Sequence, residues 1–167
     1  MKGLAMLMAV GLLAAAASAQ TTPGPEVKKL DVFVGSWTLD ADYKTQSGAG
    51  GKITESEKCE WMEGNFFLVC HTDFKSGMGN GSGISVMGYS TDDKTYTYRA
   101  FNSWGEFEDS KGALDGDTWT FTSNEKFGTG RFTMKITSAT SYNVTFDMSK
   151  DGTNWMTVME GKASKSK

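Results

Sequence analysis

The chain has 167 residues, of which 17 are basic and 20 acidic, and its formal net charge is −3 at pH 7. With the lysines scattered along the chain, this balance excludes the basic stripe that nucleic acids require and the polybasic segment that anchors a protein to anionic lipid. The length is that of one ordinary domain with a sizeable core.

The first residues have the features of a signal peptide. Lys2 supplies the positive start, residues 4–16 an apolar run, and residues 17–19 (Ala-Ser-Ala) a small-residue cleavage site. The apolar run is shorter than the roughly 20 residues of a membrane-spanning helix, and no later stretch approaches that length. We therefore predict a signal peptide over residues 1–19, a secreted or periplasmic location and no membrane span. Residues 20–25, which hold both prolines, are predicted to be a linker.

A short helical turn and a glycine–tryptophan motif come next. Residues 26–34 include an apolar run that suits a short helical turn. Gly35, Ser36 and Trp37 follow it directly and begin the first predicted strand. A glycine, any residue and a tryptophan at this position are typical of the start of lipocalin-like β-barrels.

Apolar and polar residues alternate with a period of two from Ser36 onward. The pattern is clearest in residues 37–43, 118–122, 131–137 and 142–149. It predicts half-buried strands, each with one apolar and one polar face, and no segment after Trp37 has the period of a helix.

Turn dipeptides join these strands at hairpin spacing. Asp115-Gly116 and Asp151-Gly152 are two examples, and such pairs tolerate the positive φ of tight hairpins. About ten strands with one apolar face must close on themselves or fold into a sandwich, and closure removes the exposed sheet edges. We predict an all-β, up-and-down antiparallel β-barrel of about ten strands, preceded by the short helical turn. The barrel domain spans residues 26–162, and residues 163–167 are a flexible C-terminal tail.

The two cysteines flank one predicted hairpin. If Gly64-Asn65 is its turn, Cys59 and Cys70 stand directly opposite each other on adjacent strands, within the distance that a disulfide bridges. An oxidising compartment permits the bond, so we predict a disulfide. The alternative is two free cysteines that pack as small apolar side chains.

Several segments resemble the bacterial family called domain of unknown function 1579, which is regarded as lipocalin-like. The resemblance covers nearly the whole chain after the leader, and it implies a secreted, calycin-type barrel without an established activity. In lipocalins a basic residue of a late strand packs across the opening tryptophan, and Lys162, Arg131 or Arg99 would take that place here. The matching segments are residues 30–37, 62–68, 83–89, 111–112, 116–120 and 149–152.

In such a barrel the apolar strand faces point into the lumen. Aromatic and methionine side chains there suit a small hydrophobic ligand that enters at one open end. The alternative is that these large side chains meet and fill the core. The residues predicted to line the lumen and bind the ligand are Trp37, Leu39, Tyr43, Trp61, Leu68, Tyr96, Tyr98, Trp119, Phe121, Phe132, Met134, Phe146, Met148 and Trp155.

The sequence predicts no metal site, no cofactor and no catalytic residue. His71 stands alone, on the face opposite the lumen, with no second ligand at a regular spacing. Residues 115–117 (Asp-Gly-Asp) indicate a turn rather than a calcium loop. Glu106, Glu108 and Asp109 are interpreted as a solvated acidic edge.

Three functions remain open after these exclusions. Binding of an apolar small molecule comes first. A non-catalytic envelope or interaction scaffold comes second, with a filled core and an apolar rim at Phe101, Trp104 and Phe107. A barrel enzyme acting on a hydrophobic substrate comes last, because it requires a lumen-facing carboxylate with a perturbed pKa. The glycine-rich residues 76–83 are predicted to be a flexible loop that gates the barrel mouth.

Overall fold

The computed structural model describes residues 22–45, 48–126 and 128–166. The predicted signal peptide and the first two residues of the linker lie outside these ranges. No helix in the described part of the chain is long and apolar enough to cross a membrane. Helix α1 and a 3₁₀ turn (Lys29–Phe33) precede ten strands. The bounds are α1 (Pro25–Lys28), β1 (Gly35–Lys44), β2 (Gly50–Trp61), β3 (Leu68–Ser76), β4 (Gly79–Ser90), β5 (Thr95–Asn102), β6 (Phe107–Asp115), β7 (Thr118–Glu125), β8 (Gly128–Ser138), β9 (Ser141–Ser149) and β10 (Trp155–Lys165).

Each strand pairs antiparallel with its neighbours in the chain, and β1 pairs with β10 to close the barrel. The prediction of an up-and-down barrel of about ten strands is confirmed. The seam extends further than predicted: Ala163 is fully buried and lies opposite Leu39 in the ladder. Residues 163–165 therefore belong to β10, and their assignment to a flexible tail was wrong.

Helix α1 and the 3₁₀ turn together form a plug (residues 25–33) that closes one end of the barrel. Leu30 and Phe33 of the plug are almost completely buried. The Phe33 ring packs edge-on against Trp119, at 5.3 Å between ring centroids, and against Tyr142 at 5.7 Å. Edge-to-face aromatic pairs at these separations are favourable beyond the area they bury. The plug is therefore part of the hydrophobic core.

Hydrogen bonds from barrel side chains fix the plug in place. The indole N–H of Trp37 donates to the Phe33 carbonyl at 2.8 Å, and that of Trp61 donates to Asp31 at 2.8 Å. The Tyr96 hydroxyl donates to the Glu26 carboxylate at 2.9 Å. A buried polar group without a partner destabilises a fold, so these bonds make the aromatic closed end compatible with burial.

The disulfide between Cys59 and Cys70 is confirmed. The two residues are directly paired in the β2–β3 ladder, and both are buried in the core. Asn65 has a φ of 58° and Gly64 a φ of 86°, so the predicted turn pair supplies the left-handed backbone of the connection.

A basic side chain does pack across the opening tryptophan, but it is Lys165. Its Nζ lies 5.1 Å from the centroid of the Trp37 ring, and the two residues are paired in the β1–β10 ladder. A Cβ at Gly35 would come within 3.0 Å of the Lys165 side chain, so the glycine leaves the room that this lysine occupies. The prediction of Lys162, Arg131 or Arg99 was wrong because it placed the end of the barrel before the residue that fills the role.

The glycine-rich segment is mostly strand rather than loop. Only residues 77–78 connect β3 to β4, and the glycines that follow lie within β4. A Cβ at Gly81 would come within 2.4 Å of the Phe74 ring. The missing side chain therefore gives Phe74 space against the neighbouring strand, and the predicted gate at residues 76–83 was wrong.

Candidate functional site

The lumen contains a cavity of about 950 Å³. It extends from the plug, where Phe33 and Trp37 line it, to the connections at the opposite end of the barrel, where Gly105 and Lys126 line it. Because α1 and the 3₁₀ turn fill one end, the cavity opens at the other.

One side of the cavity is apolar. Strands β8 and β9 contribute Phe132 and Met134, and Val144 and Phe146, while Leu39 comes from β1 across the seam. The apolar atoms of these strands form a surface that gains free energy when a ligand displaces water from it.

Six of the predicted lumen residues line this cavity: Trp37, Leu39, Tyr98, Phe132, Met134 and Phe146. Four others are buried in the core outside the cavity lining: Leu68, Tyr96, Trp119 and Phe121. Whether any of these residues contacts a ligand stays a prediction.

The remaining four predicted residues lie elsewhere. The indole N–H of Trp61 donates a hydrogen bond to Asp31 of the plug, and Met148 is paired with Met156 in the β9–β10 ladder. The Tyr43 hydroxyl occupies the space where Gly51 lacks a Cβ. Trp155 stacks on the Arg131 guanidinium at 4.1 Å.

Trp155 lies on the outer face of the barrel. Its strand has an irregular register between Thr157 and Met159, where the alternation of faces is interrupted. Thr157 and Arg131 both bind the Asp147 carboxylate there, at 2.6 Å and 3.0 Å. Simple alternation counted back from Met159 therefore puts Trp155 on the wrong side.

The other side of the cavity is acidic, which the sequence analysis missed. Glu55 and Glu57 of β2, Glu108 of β6 and Glu125 of β7 all line the cavity. The signal was present in Cys59: residues two and four positions before a buried cysteine on the same strand face the same way. The interpretation of Glu108 as part of a solvated edge was wrong.

Glu57 lies deep in the cavity, at the level of Trp37, with which it is paired in the β1–β2 ladder. Burial raises its pKa to about 7, and the charge of Glu55 adds to this effect. The Cys59 sulfur lies 2.9 Å from the carboxylate, but a disulfide sulfur carries no proton to donate. Among the described residues no hydrogen-bond donor and no basic side chain stabilises the charged form of Glu57.

The neighbouring polar groups are arranged around the same space. Burial raises the pKa of Glu55 and of Glu108, although Glu108 accepts a hydrogen bond from Ser110. Glu125 accepts one from Ser123 at 2.5 Å. Burial also raises the pKa of Tyr98, to which the charges of Glu57 and Glu108 contribute.

The described residues contain one group of side chains that carry metal-ligating atoms. Glu57, Cys59 and Cys70 bring one carboxylate oxygen and two sulfurs within 4.8 Å of one another. Both sulfurs belong to the disulfide and are therefore not thiolate ligands. His71 lies exposed on β3, on the face opposite the buried Cys70, as predicted.

The comparisons with known proteins agree with this architecture. The family profile described as "Protein of unknown function (DUF1579)" matches residues 22–165. A search of the curated proteins gives no match. Among solved structures, the S-type phycobiliprotein lyase CPES from Guillardia theta is similar with a TM-score of 0.62 and 9% identity over 84% of this chain and 92% of that one. Rv2717c from M. tuberculosis is similar with a TM-score of 0.62 and 11% identity over 86% of this chain and 99% of that one. These identities show a shared fold alone.

Proposed function

The chain belongs to the DUF1579 family, and from this premise we propose that it is an exported lipocalin-like barrel that binds a small, largely apolar molecule in its lumen. The observation that carries the proposal is the cavity of about 950 Å³, open at one end and walled by apolar side chains on β8, β9 and β1. Ligand pockets in proteins span roughly 300–1,000 Å³. The cavity favours binding over a scaffold with a filled core.

The barrel architecture supports this function physically. An eight-stranded barrel is just wide enough for its side chains to fill, and two further strands widen the lumen. The plug blocks one end, so a ligand enters at the end where Asn102, residues 105–107 and residues 123–126 line the cavity. The disulfide suits an oxidising compartment, which agrees with the proposed export.

A second candidate function is favoured by the position of Glu57 inside the cavity, where burial raises the pKa of its carboxyl group to about 7. A carboxyl group with such a pKa inside a cavity meets the requirement for a general acid or base near neutral pH. A barrel enzyme acting on a hydrophobic substrate would use it in that role. The exposed side chains of the predicted apolar rim, Phe101, Trp104 and Phe107, carry no group that could take part in acid–base catalysis.

The binding proposal is tested by filling the cavity. Ala100 of β5 lines the cavity, whereas Ala113 of β6 is exposed on the outside. We expect Ala100→Trp to weaken binding of the neutral fluorescent probe N-phenyl-naphthylamine by about tenfold or more, because the indole takes the ligand's space. Ala113→Trp should leave the affinity unchanged.

Circular dichroism melts of both variants establish that they fold. Equal probe affinity in two folded variants would contradict binding in the lumen. Native mass spectrometry of the protein from its host's envelope fraction then identifies a natural ligand as a mass that is lost on denaturation.

A further inference from the structure

We propose that the lumen is selective for a cationic amphiphile, a molecule with an amine or quaternary ammonium group on an apolar body. The ammonium group lies against Glu55 and Glu57 of β2, and the apolar body lies on the opposite wall formed by β8 and β9. The inference rests on the proposed function of the lumen as a binding site, and it adds the chemical class of the ligand.

The cavity is divided into two sides of different chemistry. Its carboxylates all lie on β2, β6 and β7 or on the connection before β6, in an arc that also carries hydroxyl groups and some apolar side chains such as Phe74 and Met87. Strands β8, β9 and β1 contribute aromatic and aliphatic side chains. Because the strands follow chain order around the barrel, these two sides face each other across the lumen. The acidic side includes Glu55, Glu57, Thr72, Ser85, Tyr98, Glu108, Ser123 and Glu125, and the apolar side Phe132, Met134, Val144, Phe146 and Leu39.

The charges along the cavity have one dominant sign. Six carboxylates line it, and Lys126 at the mouth is the one lysine or arginine among the described lining residues. One of the six, Asp109, is paired with Arg99, so five carboxylates and Lys126 set the charge of the cavity. Lys165 covers Trp37 at the closed end, and Arg131 binds Asp147 on the outer face. A cation entering the lumen is therefore attracted, and an anion is repelled.

Glu57 is placed where its carboxylate can bind a group of the ligand. Its side chain is half-buried and lines the cavity. It receives no hydrogen bond from the described residues, and Glu55 brings a second carboxylate to the same strand face. Two adjacent carboxylates withdrawn from water are costly to ionise, and an ammonium group between them supplies both hydrogen-bond donors and opposite charge.

Aromatic rings add a second element of recognition at the same depth. Trp37 is paired with Glu57 in the β1–β2 ladder and lines the cavity floor, but Lys165 already lies over its ring. Tyr142 packs beside Trp37, with 4.8 Å between the ring centroids, and also lines the cavity. An aromatic ring next to a carboxylate attracts ammonium groups, including quaternary ones, through the cation–π interaction, so Tyr142 is the ring that meets the ligand.

The test uses three probes of equal chain length and different head-group charge: decylammonium, decanol and decanoate. Their affinities for the full protein are measured by isothermal titration calorimetry at about pH 8, where an alkyl amine, like lysine, is protonated. We expect decylammonium to bind at least about tenfold more tightly than decanol, and decanoate to bind most weakly.

Glu57→Gln provides the matched variant, with Glu60→Gln as its control. Both replace a carboxylate of β2 by an amide, but Glu60 is exposed on the outer face, where it pairs with Lys58 at 2.9 Å. Glu57→Gln should lower the affinity for decylammonium by about tenfold and leave the affinity for decanol within about threefold of its original value. Glu60→Gln should change neither. Glu55→Gln gives a second variant at the same site, with an effect of the same sign.

The outcomes separate the two levels of the proposal. If decanol binds as tightly as decylammonium, or Glu57→Gln and Glu60→Gln act alike, the charge selectivity is overturned while the lumen remains a binding site. If none of the three probes binds, the proposed function itself fails, and the inference fails with it.

Discussion

The closed end of the barrel and the lumen above it treat their buried polar groups in opposite ways. At the closed end the polar atoms of Trp37, Trp61 and Tyr96 each have a hydrogen-bond partner in the plug. In the lumen Glu57 has none among the described residues, and its pKa rises to about 7. The same barrel thus contains one region whose polar groups stabilise the fold and one region whose carboxylates lower the stability of the fold but provide a polar surface for binding.

The largest effect is expected at the closed end. Trp119 is 2% exposed and packs against Phe33 and Tyr96, the latter at 4.7 Å between ring centroids. Trp119→Ala should lower the free energy of unfolding by about 3–5 kcal/mol, because a large cavity opens beside the plug. Chemical denaturation measures the loss.

Trp104→Ala is the control for this variant, since Trp104 is 44% exposed at the open end. Trp104→Ala should lower the free energy of unfolding by less than half as much as Trp119→Ala does. Equal losses for the two variants would remove the distinction between the two ends of the barrel.

An effect of the opposite sign is expected in the lumen. The pKa of Glu57 rises from 4.5 to about 7 on folding, so between these values the folded protein holds a proton that the unfolded chain has released. Stability therefore falls as the pH rises through this window, with Glu55 and the neighbouring Tyr98 and Tyr142 as the other titratable groups around the site. Glu57→Gln should be more stable than the original protein by on the order of 2–3 kcal/mol above pH 7.

The gain in the free energy of unfolding of Glu57→Gln over the original protein should vanish at about pH 4, where the Glu57 carboxyl group is protonated in both the folded and the unfolded chain. Urea denaturation at both pH values measures it, with Glu60→Gln as the control that shows no such dependence. A variant that is less stable above pH 7 would show that Glu57 is a structural group like those of the closed end.

The smallest effect concerns one hydrogen bond of the plug. Trp61→Phe keeps an aromatic ring but removes the donor to Asp31, a contact in which Asp31 is accessible to water. We expect a loss of about 1 kcal/mol in the free energy of unfolding, because water replaces the lost partner. A loss as large as that of Trp119→Ala would mean that the plug is held by this bond rather than by packing.

The sequence predicted what periodicity controls. Strand alternation and turn dipeptides led to the closed barrel, and the register about Gly64-Asn65 led to the Cys59–Cys70 bond. Two errors followed from local irregularities: the interrupted register near Trp155, and glycines at positions such as 81 that belong to a strand. Neither irregularity can be recognised from the alternation of apolar and polar residues.

The candidate site was only half predictable. Its apolar wall follows from alternation, and six of the predicted residues line the cavity. Its acidic wall was missed because a glutamate in an alternating strand is assigned to the solvent side by default, although Cys59 fixes the inward face of β2. Carboxylates on the inward face of a strand contradict the pattern from which the fold is predicted, which is why they are informative about function.

The β1–β10 seam has a consequence for the way in which the protein acquires its structure. Every other strand pairing joins neighbours along the chain, so nine hairpins can form from local sequence. The seam instead joins Trp37 of the first strand to Lys165 of the last strand, which are far apart along the chain. Closing so long a loop is slow and cannot begin during synthesis until the last strand is available. The contact between Lys165 and Trp37 can therefore form only in the last step of folding, when β10 pairs with β1 and the open sheet closes into a barrel.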